Sequence, residues 1–186
     1  LGQSLRESAF TSVSIMTSTG FTTIDYAQWG SFPLFIIFIL SLVGGCTGST
    51  SGGLKVFRLQ VLSAVAHVHL KQLRRQHSVY IPLYQNQKIS ETVAMSVLTF
   101  VTLYFLVAIV IVMLLTLFNM DMMNAFSAAI AALSNTGPGI TELLGPSGTH
   151  GSLPTPCKLI LMVGMILGRL EILTVFVLFM PSFWRN

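Results

Sequence analysis

Charge is what this sequence has least of. Only 9% of its 186 residues are Asp, Glu, Lys or Arg, against about 25% in an ordinary soluble domain. Ten basic and six acidic side chains are too few to cover a water-exposed globule of this length. Cysteine is almost as scarce. Cys46 and Cys157 are the only two, which excludes a disulfide scaffold. A disordered chain is excluded too, because disorder needs low hydrophobicity and high net charge. No nucleophile–base pair or zinc-protease pattern is visible, so enzyme chemistry finds no support. What the chain does have is 53% hydrophobic residues and a mean hydropathy of +0.77. Those values describe an integral membrane protein.

The few charges are sorted by place. Six of the ten basic residues (Lys55, Arg58, Lys71, Arg74, Arg75 and Lys88) fall between 55 and 88, with no acid among them. A pI near 9.4 raises nucleic acid as a partner, but a basic block beside apolar spans reads as a cytoplasmic segment under the positive-inside rule. No nucleic-acid partner is therefore expected. Glu7, Asp25, Asp121 and Glu142 fall in 1–31 and 119–157, which are expected to face outside. The chain shows neither an initiator Met nor a signal peptide, and is expected to start partway through a larger protein.

Residues 92–118 form an uncharged run, long enough to cross a bilayer, with Ser90 and Glu91 suited to start the helix. A second span is expected over 158–180, followed by Pro181 and the interfacial pair Trp184 and Arg185. It carries Arg169 and Glu171 inside it. Residues 32–43 are too few to span, and they run into a stretch with five glycines in ten positions, 44–53. So many glycines do not sustain a helix. The pattern is that of a transmembrane helix broken near mid-membrane, resuming after Leu54 with basic residues on one side.

Two short helix-compatible segments, 8–16 and 124–133, each end in a polar run through Thr-Gly. Aligning Gly20 with Gly137 also aligns Thr19 with Thr136, Val13 with Ile130 and Met16 with Leu133. This is an internal repeat. A short re-entrant helix followed by extended polar backbone suits a cation filter. Irregular backbone at membrane depth is tolerated only where protein or a water cavity covers it. Its unpaired carbonyls can replace the hydration shell of a monovalent cation. The candidate filter residues are Ser18, Thr19, Gly20 and Phe21 in the first copy, and Asn135, Thr136, Gly137 and Pro138 in the second. One Thr-Gly alone would read as an ordinary loop; two copies in the same context favour the filter.

The 44–53 stretch resembles a phosphate-binding loop only superficially, because the Gly-Lys-Ser/Thr ending is missing. Glycines four apart also suit close helix packing. The reading favoured here is a flexible plug below the filter, formed by Gly44, Gly45, Gly48, Ser49, Thr50, Ser51, Gly52 and Gly53. Discontinuous membrane helices usually line the transport path. Arg169 needs a partner at mid-span. Glu171 lies on another helix face. The carbonyls and hydroxyls of 44–53 would satisfy a guanidinium, and an ion pair with a residue elsewhere is the alternative. Gly164 and Gly168 suit close helix packing. His67, His69 and His77 lack a nearby Cys or acid, so a solvated helix face fits them better than a metal site.

At these residues the sequence resembles the TrkH-type potassium uptake proteins of the Trk, Ktr and HKT cation transporter superfamily. The matching stretches are 17–23, 44–55, 135–139 and the Gly-Arg-Leu-Glu of 168–171, with Phe-Trp-Arg at 183–185. The resemblance implies an all-α, polytopic membrane protein of four helix–pore-loop–helix repeats with pseudo-fourfold symmetry. Residues 1–88 would hold the pore loop and broken second helix of the third repeat plus the cytoplasmic basic segment. Residues 89–186 would hold the complete fourth. It further implies K⁺ uptake across a bacterial cytoplasmic (inner) membrane, with K⁺ as the transported ion and no organic cofactor. Gly20 and Gly137 would be filter glycines, 44–53 the gating loop, and Arg169 its holder. A homodimer and a cytoplasmic nucleotide-sensing ring are implied as partners. A secondary transporter coupled to H⁺ or Na⁺, or a non-transporting membrane anchor, are the competing readings. Strict coupling would mark the first and absence of flux the second.

Overall fold

The computed structural model describes residues 2–74, 81–84 and 87–184. Arg75, His77 and Arg185 lie outside the described residues. Among the described residues the chain is all-α apart from two pairs of two-residue bridges. Its first half holds α1 (Gly2–Met16), a 3₁₀ turn (Tyr26–Trp29), α2 (Ser31–Leu42) and α3 (Val56–Arg74). A small antiparallel hairpin, β3 (Leu83–Tyr84) with β4 (Gln87–Lys88), leads to the second half. That half holds α4 (Glu91–Leu117), α5 (Met122–Ser134), α6 (Thr155–Arg169) and α7 (Ile172–Leu178).

Helix α4 forms where the uncharged run predicts it. The Ser90 hydroxyl accepts from the Val93 N–H, and Glu91 complements the dipole of the first turn. Its 27 residues reach about 40 Å at 1.5 Å per residue, enough to cross a bilayer with tilt. Helix α5 is capped by Asp121 and is buried from Ser127 to its end at Ser134. Its row of alanines (Ala125, Ala128, Ala129, Ala131, Ala132) lets α4 and α6 approach closely. Helix α1 begins at Gly2 rather than Ser8, because nothing before Ser8 breaks the helix and the Gln3 amide donates to Glu7 one turn on.

The expected single span over 158–180 is instead two helices. α6 and α7 meet at a bend of 101° at Leu170–Glu171. Glu171 takes a left-handed φ of 57° there. In a continuous helix, two residues rotate a side chain by about 200°, so Arg169 and Glu171 could not both face the first half of the chain. The bend turns both toward it. It brings Arg169 to the Thr50 carbonyl and Glu171 to Lys55 and Arg58, as charges within an apolar run require partners.

Between α2 and α3 the chain makes a closed excursion. Val43 pairs with Leu54 and Gly44 with Lys55 in a parallel bridge, β1 (Val43–Gly44) with β2 (Leu54–Lys55). A parallel pairing means that the chain leaves and resumes in the same direction. Residues 45–53 therefore form a loop inserted into one broken helix, as the glycine content predicts.

Candidate functional site: two matched carbonyl runs and a glycine loop

The two Thr-Gly segments adopt the same backbone. Ser18 and Asn135, aligned in the repeat, have φ of 55° and 54°. Gly20 and Gly137 have φ of 76° and 91°, a region that glycine enters without steric cost. The hydrogen bonds match too. The Thr17 hydroxyl donates to the Val13 carbonyl at 2.7 Å, and the Ser134 hydroxyl to the Ile130 carbonyl at 2.7 Å. Thr17 also meets the Thr19 hydroxyl, as Ser134 meets that of Thr136. The Thr19 N–H bonds to the Ser14 carbonyl, and the Thr136 N–H to that of Ala131. Each short helix thus ends in one left-handed residue, and its own last turn ties down the start of the extended run.

What these bonds leave over is a set of carbonyls. Among the described residues, no protein hydrogen bond engages the carbonyl of Ser18, Thr19, Gly20, Asn135, Thr136, Gly137 or Pro138. Phe21 differs, because its carbonyl accepts from the Ser14 hydroxyl at 2.7 Å. The two runs also touch. A side chain at Gly20 would collide with the Thr136 carbonyl and press on the Pro138 ring.

The glycine loop lies against the base of the second run. A Cβ at Gly52 would strike the Ser134 carbonyl, and one at Gly44 the Gly52 carbonyl. Inside the loop, the Gly45 N–H donates to the Ser51 hydroxyl at 2.8 Å. Ser51 meets the Ser49 hydroxyl at 2.7 Å, and Ser49 donates to the Cys46 carbonyl. Cys46, Gly48, Ser49 and Thr50 are exposed at its tip. Arg169, at the last turn of α6, donates to the Thr50 carbonyl. The expected plug residues and the expected arginine are therefore together.

Three side chains here were not legible as a group. Glu171 accepts from Lys55 at 2.9 Å and Arg58 at 2.7 Å, and the Arg58 guanidinium lies 3.6 Å from the centroid of the Phe100 ring. Lys55 and Arg58 were expected among the cytoplasmic charges. In the structure they face the Glu171 carboxylate, at the foot of the glycine loop. Asn135 adds another tie, its amide donating to the Met165 carbonyl at 3.2 Å. Outside the runs, Tyr26 donates to the Gly139 carbonyl at 2.8 Å, and Ser147 to Asp25 at 2.6 Å. Burial first, and the Asp25 carboxylate second, push the Tyr26 phenol well above its ordinary range. It stays a donor at any physiological pH.

Gly168 is the close-packing residue the sequence suggests. A Cβ there would run into the Leu133 carbonyl at the end of α5. Backbone cannot move aside as a flexible side chain would, so Gly168→Ala is expected to destabilise by about 1–3 kcal/mol. A melting temperature of the purified full-length protein equal to that of the unaltered protein would show that α6 can shift off α5.

Comparison with known proteins assigns the chain to a family. The family model described as TrkH, cation transport protein, matches residues 1–186. The chain belongs to the TrkH family. That family is one of cation transporters, not enzymes. The chain is 41% identical over 183 residues to the Trk system potassium uptake protein TrkI of Halomonas elongata, covering 98% of this chain and 37% of that protein. It is 38% identical over 181 residues to TrkH of Vibrio parahaemolyticus, covering 97% of this chain and 36% of that protein. The crystal structure of the potassium transporter TrkH from Vibrio parahaemolyticus superposes with a TM-score of 0.86 at 38% identity, over 94% of this chain and 37% of that one. The chain thus has the fold of a helical membrane transporter and spans little more than a third of the length of these TrkH-family relatives.

Proposed function

We propose that this chain supplies the third and fourth repeats of a potassium uptake pore in a bacterial cytoplasmic membrane. The observation that carries the reading is the pair of matched backbone runs with unengaged carbonyls, in contact at Gly20 and Thr136. Such carbonyls can replace the water shell of K⁺. The Ser18, Thr19, Gly20, Asn135, Thr136, Gly137 and Pro138 carbonyls would line the filter. Phe21 would mark its outer edge, since its carbonyl already has a partner. The 44–53 loop would close the path below, held by Arg169. The relatives named as potassium uptake proteins support K⁺ as the transported ion.

Two asymmetries support further repeats in the working pore. Val13 and Ile130 are aligned, yet Val13 is 62% exposed and Ile130 5%. Ile130 sits in α5, which packs among α2, α4 and α6; neighbours equivalent to these around α1 would cover Val13. Likewise a Cβ at Gly20 meets the other run, whereas among the described residues the space around Gly137 is open. Another run placed there would continue a ring. The full-length protein would then be a four-repeat subunit and a homodimer. Its cytoplasmic nucleotide-sensing partner would meet the basic end of α3.

The test is direct. Crystals of the full-length protein grown in Rb⁺ are expected to show anomalous density between the Thr19–Gly20 and Thr136–Gly137 carbonyls. Rb⁺ density absent there, in protein that transports Rb⁺, would remove these runs from the filter.

A further inference from the structure

We propose that Tyr26 is a positioning residue for ion discrimination: its phenol, carried by the first copy of the repeat, fixes the outer end of the second copy's carbonyl run. The proposal rests on the filter reading above. It concerns one peptide unit, between Gly139 and Ile140, immediately beyond Pro138. That unit is held at both ends. Its carbonyl accepts from Tyr26 at 2.8 Å, and its N–H donates to the Ser127 hydroxyl on α5 at 2.8 Å. The Gly139 N–H is taken as well, by the Leu144 carbonyl at 2.6 Å. With both ends of a peptide plane engaged by separate elements, it cannot rotate without losing a buried hydrogen bond. The unengaged carbonyls of 135–138 thus lie between a fixed outer peptide and a fixed inner turn.

Tyr26 is itself built to stay in place. It is fully buried and packs with Ile15 and Ile37. Trp29 meets its ring edge-on at a centroid distance of 6.4 Å. Asp25 caps its 3₁₀ turn by accepting from the Ala27 N–H, and its other carboxylate oxygen accepts from Ser147 across the repeat boundary. The brace runs one way. Leu143 occupies the aligned position of the second copy, and its side chain has no donor to offer. A filter discriminates by presenting carbonyls at fixed number and spacing rather than letting them collapse on a smaller ion. Loosening the outer peptide lets the 135–138 carbonyls follow Na⁺.

Tyr26→Phe keeps the ring and removes only the donor. In the full-length protein, the K⁺/Na⁺ uptake ratio is expected to fall at least about threefold, in line with losing one buried hydrogen bond. Protein level and melting temperature should stay close to those of the unaltered protein. An unchanged ratio, or parallel loss of K⁺ and Na⁺ uptake, overturns the proposal. Ser127→Ala releases the other end of the same peptide and should lower the ratio likewise; an unchanged ratio there also overturns it. Gly20→Ala in the same assay separates the two readings. A shifted ratio for Gly20→Ala with an unshifted one for Tyr26→Phe removes Tyr26 alone. No shift in either removes the filter reading and this one with it.

Discussion

Gly20→Ala is expected to lower the K⁺/Na⁺ uptake ratio about tenfold or more. Two costs meet at this position. The left-handed φ of 76° is natural for glycine and costs an L-residue about 1 kcal/mol. The added methyl also has no room, because the Thr136 carbonyl stands where it would go. That carbonyl is one of the unengaged acceptors, so relieving the clash displaces a proposed ion ligand in the neighbouring run. The backbone cost falls on the protein whichever ion is bound, so the expected change in ratio comes from the displaced ligand, at about 1.4 kcal/mol per factor of ten. Gly137→Ala gives the companion result. Its φ of 91° is equally unsuited to alanine, yet among the described residues nothing beyond its chain neighbours lies within 4 Å of the added methyl. If another repeat fills that space, Gly137→Ala in the full-length protein is as harmful as Gly20→Ala. A clearly milder Gly137→Ala would count against a closed ring. Parallel K⁺ and Na⁺ uptake in Gly20→Ala, unchanged in ratio, would take Gly20 out of the filter.

Much of this site could be read from the sequence because it depends on local rules. Five glycines in ten positions break a helix wherever they occur, and α2 duly ends before Gly44. The Thr-Gly repeat carried over to the backbone because the aligned positions share φ values and hydrogen-bond partners. What escaped were features that need distant partners. The run from 158 to 180 looks like one span, and only the partners of Glu171, 116 and 113 residues away in sequence, explain why it bends. Arg58 looked like one more cytoplasmic cation, because nothing local reveals Phe100 beneath its guanidinium. Tyr26 gave no signal at all, since its acceptor is a backbone carbonyl 113 residues on. An unpaired acid in an apolar run was the one available hint: Glu171 had to have a partner, and Lys55 and Arg58 were the nearest unclaimed cations to a helix break.

Arg169→Ala is expected to raise K⁺ flux about tenfold or more in full-length protein at equal membrane level. The glycine loop is fixed at its base by the Val43–Leu54 and Gly44–Lys55 bridge. Its interior bonds join Gly45, Cys46, Ser49 and Ser51 to one another and so hold its shape, not its place. Gly52 rests on the end of α5. Toward α6, the bond at the tip comes from Arg169 to the Thr50 carbonyl. A hydrogen bond from a charged donor contributes about 1.5–3 kcal/mol, which is roughly a ten- to hundredfold shift in an open–closed equilibrium at about 1.4 kcal/mol per factor of ten. Removing it frees the tip while leaving the base closed, so the loop can swing out without unfolding α2 or α3. Arg169→Lys separates charge from geometry. A lysine keeps the positive charge but not the planar fork. If the bond holds the loop, Arg169→Lys gives an intermediate flux. If the charge itself repels K⁺ below the filter, Arg169→Lys stays as slow as the unaltered protein while Arg169→Ala is fast. Glu171→Gln weakens the hold on Lys55 at the foot of the same loop. It should raise flux less than Arg169→Ala, because the tip stays tied. A fall or no change in flux for Arg169→Ala would mean that the loop does not close the path.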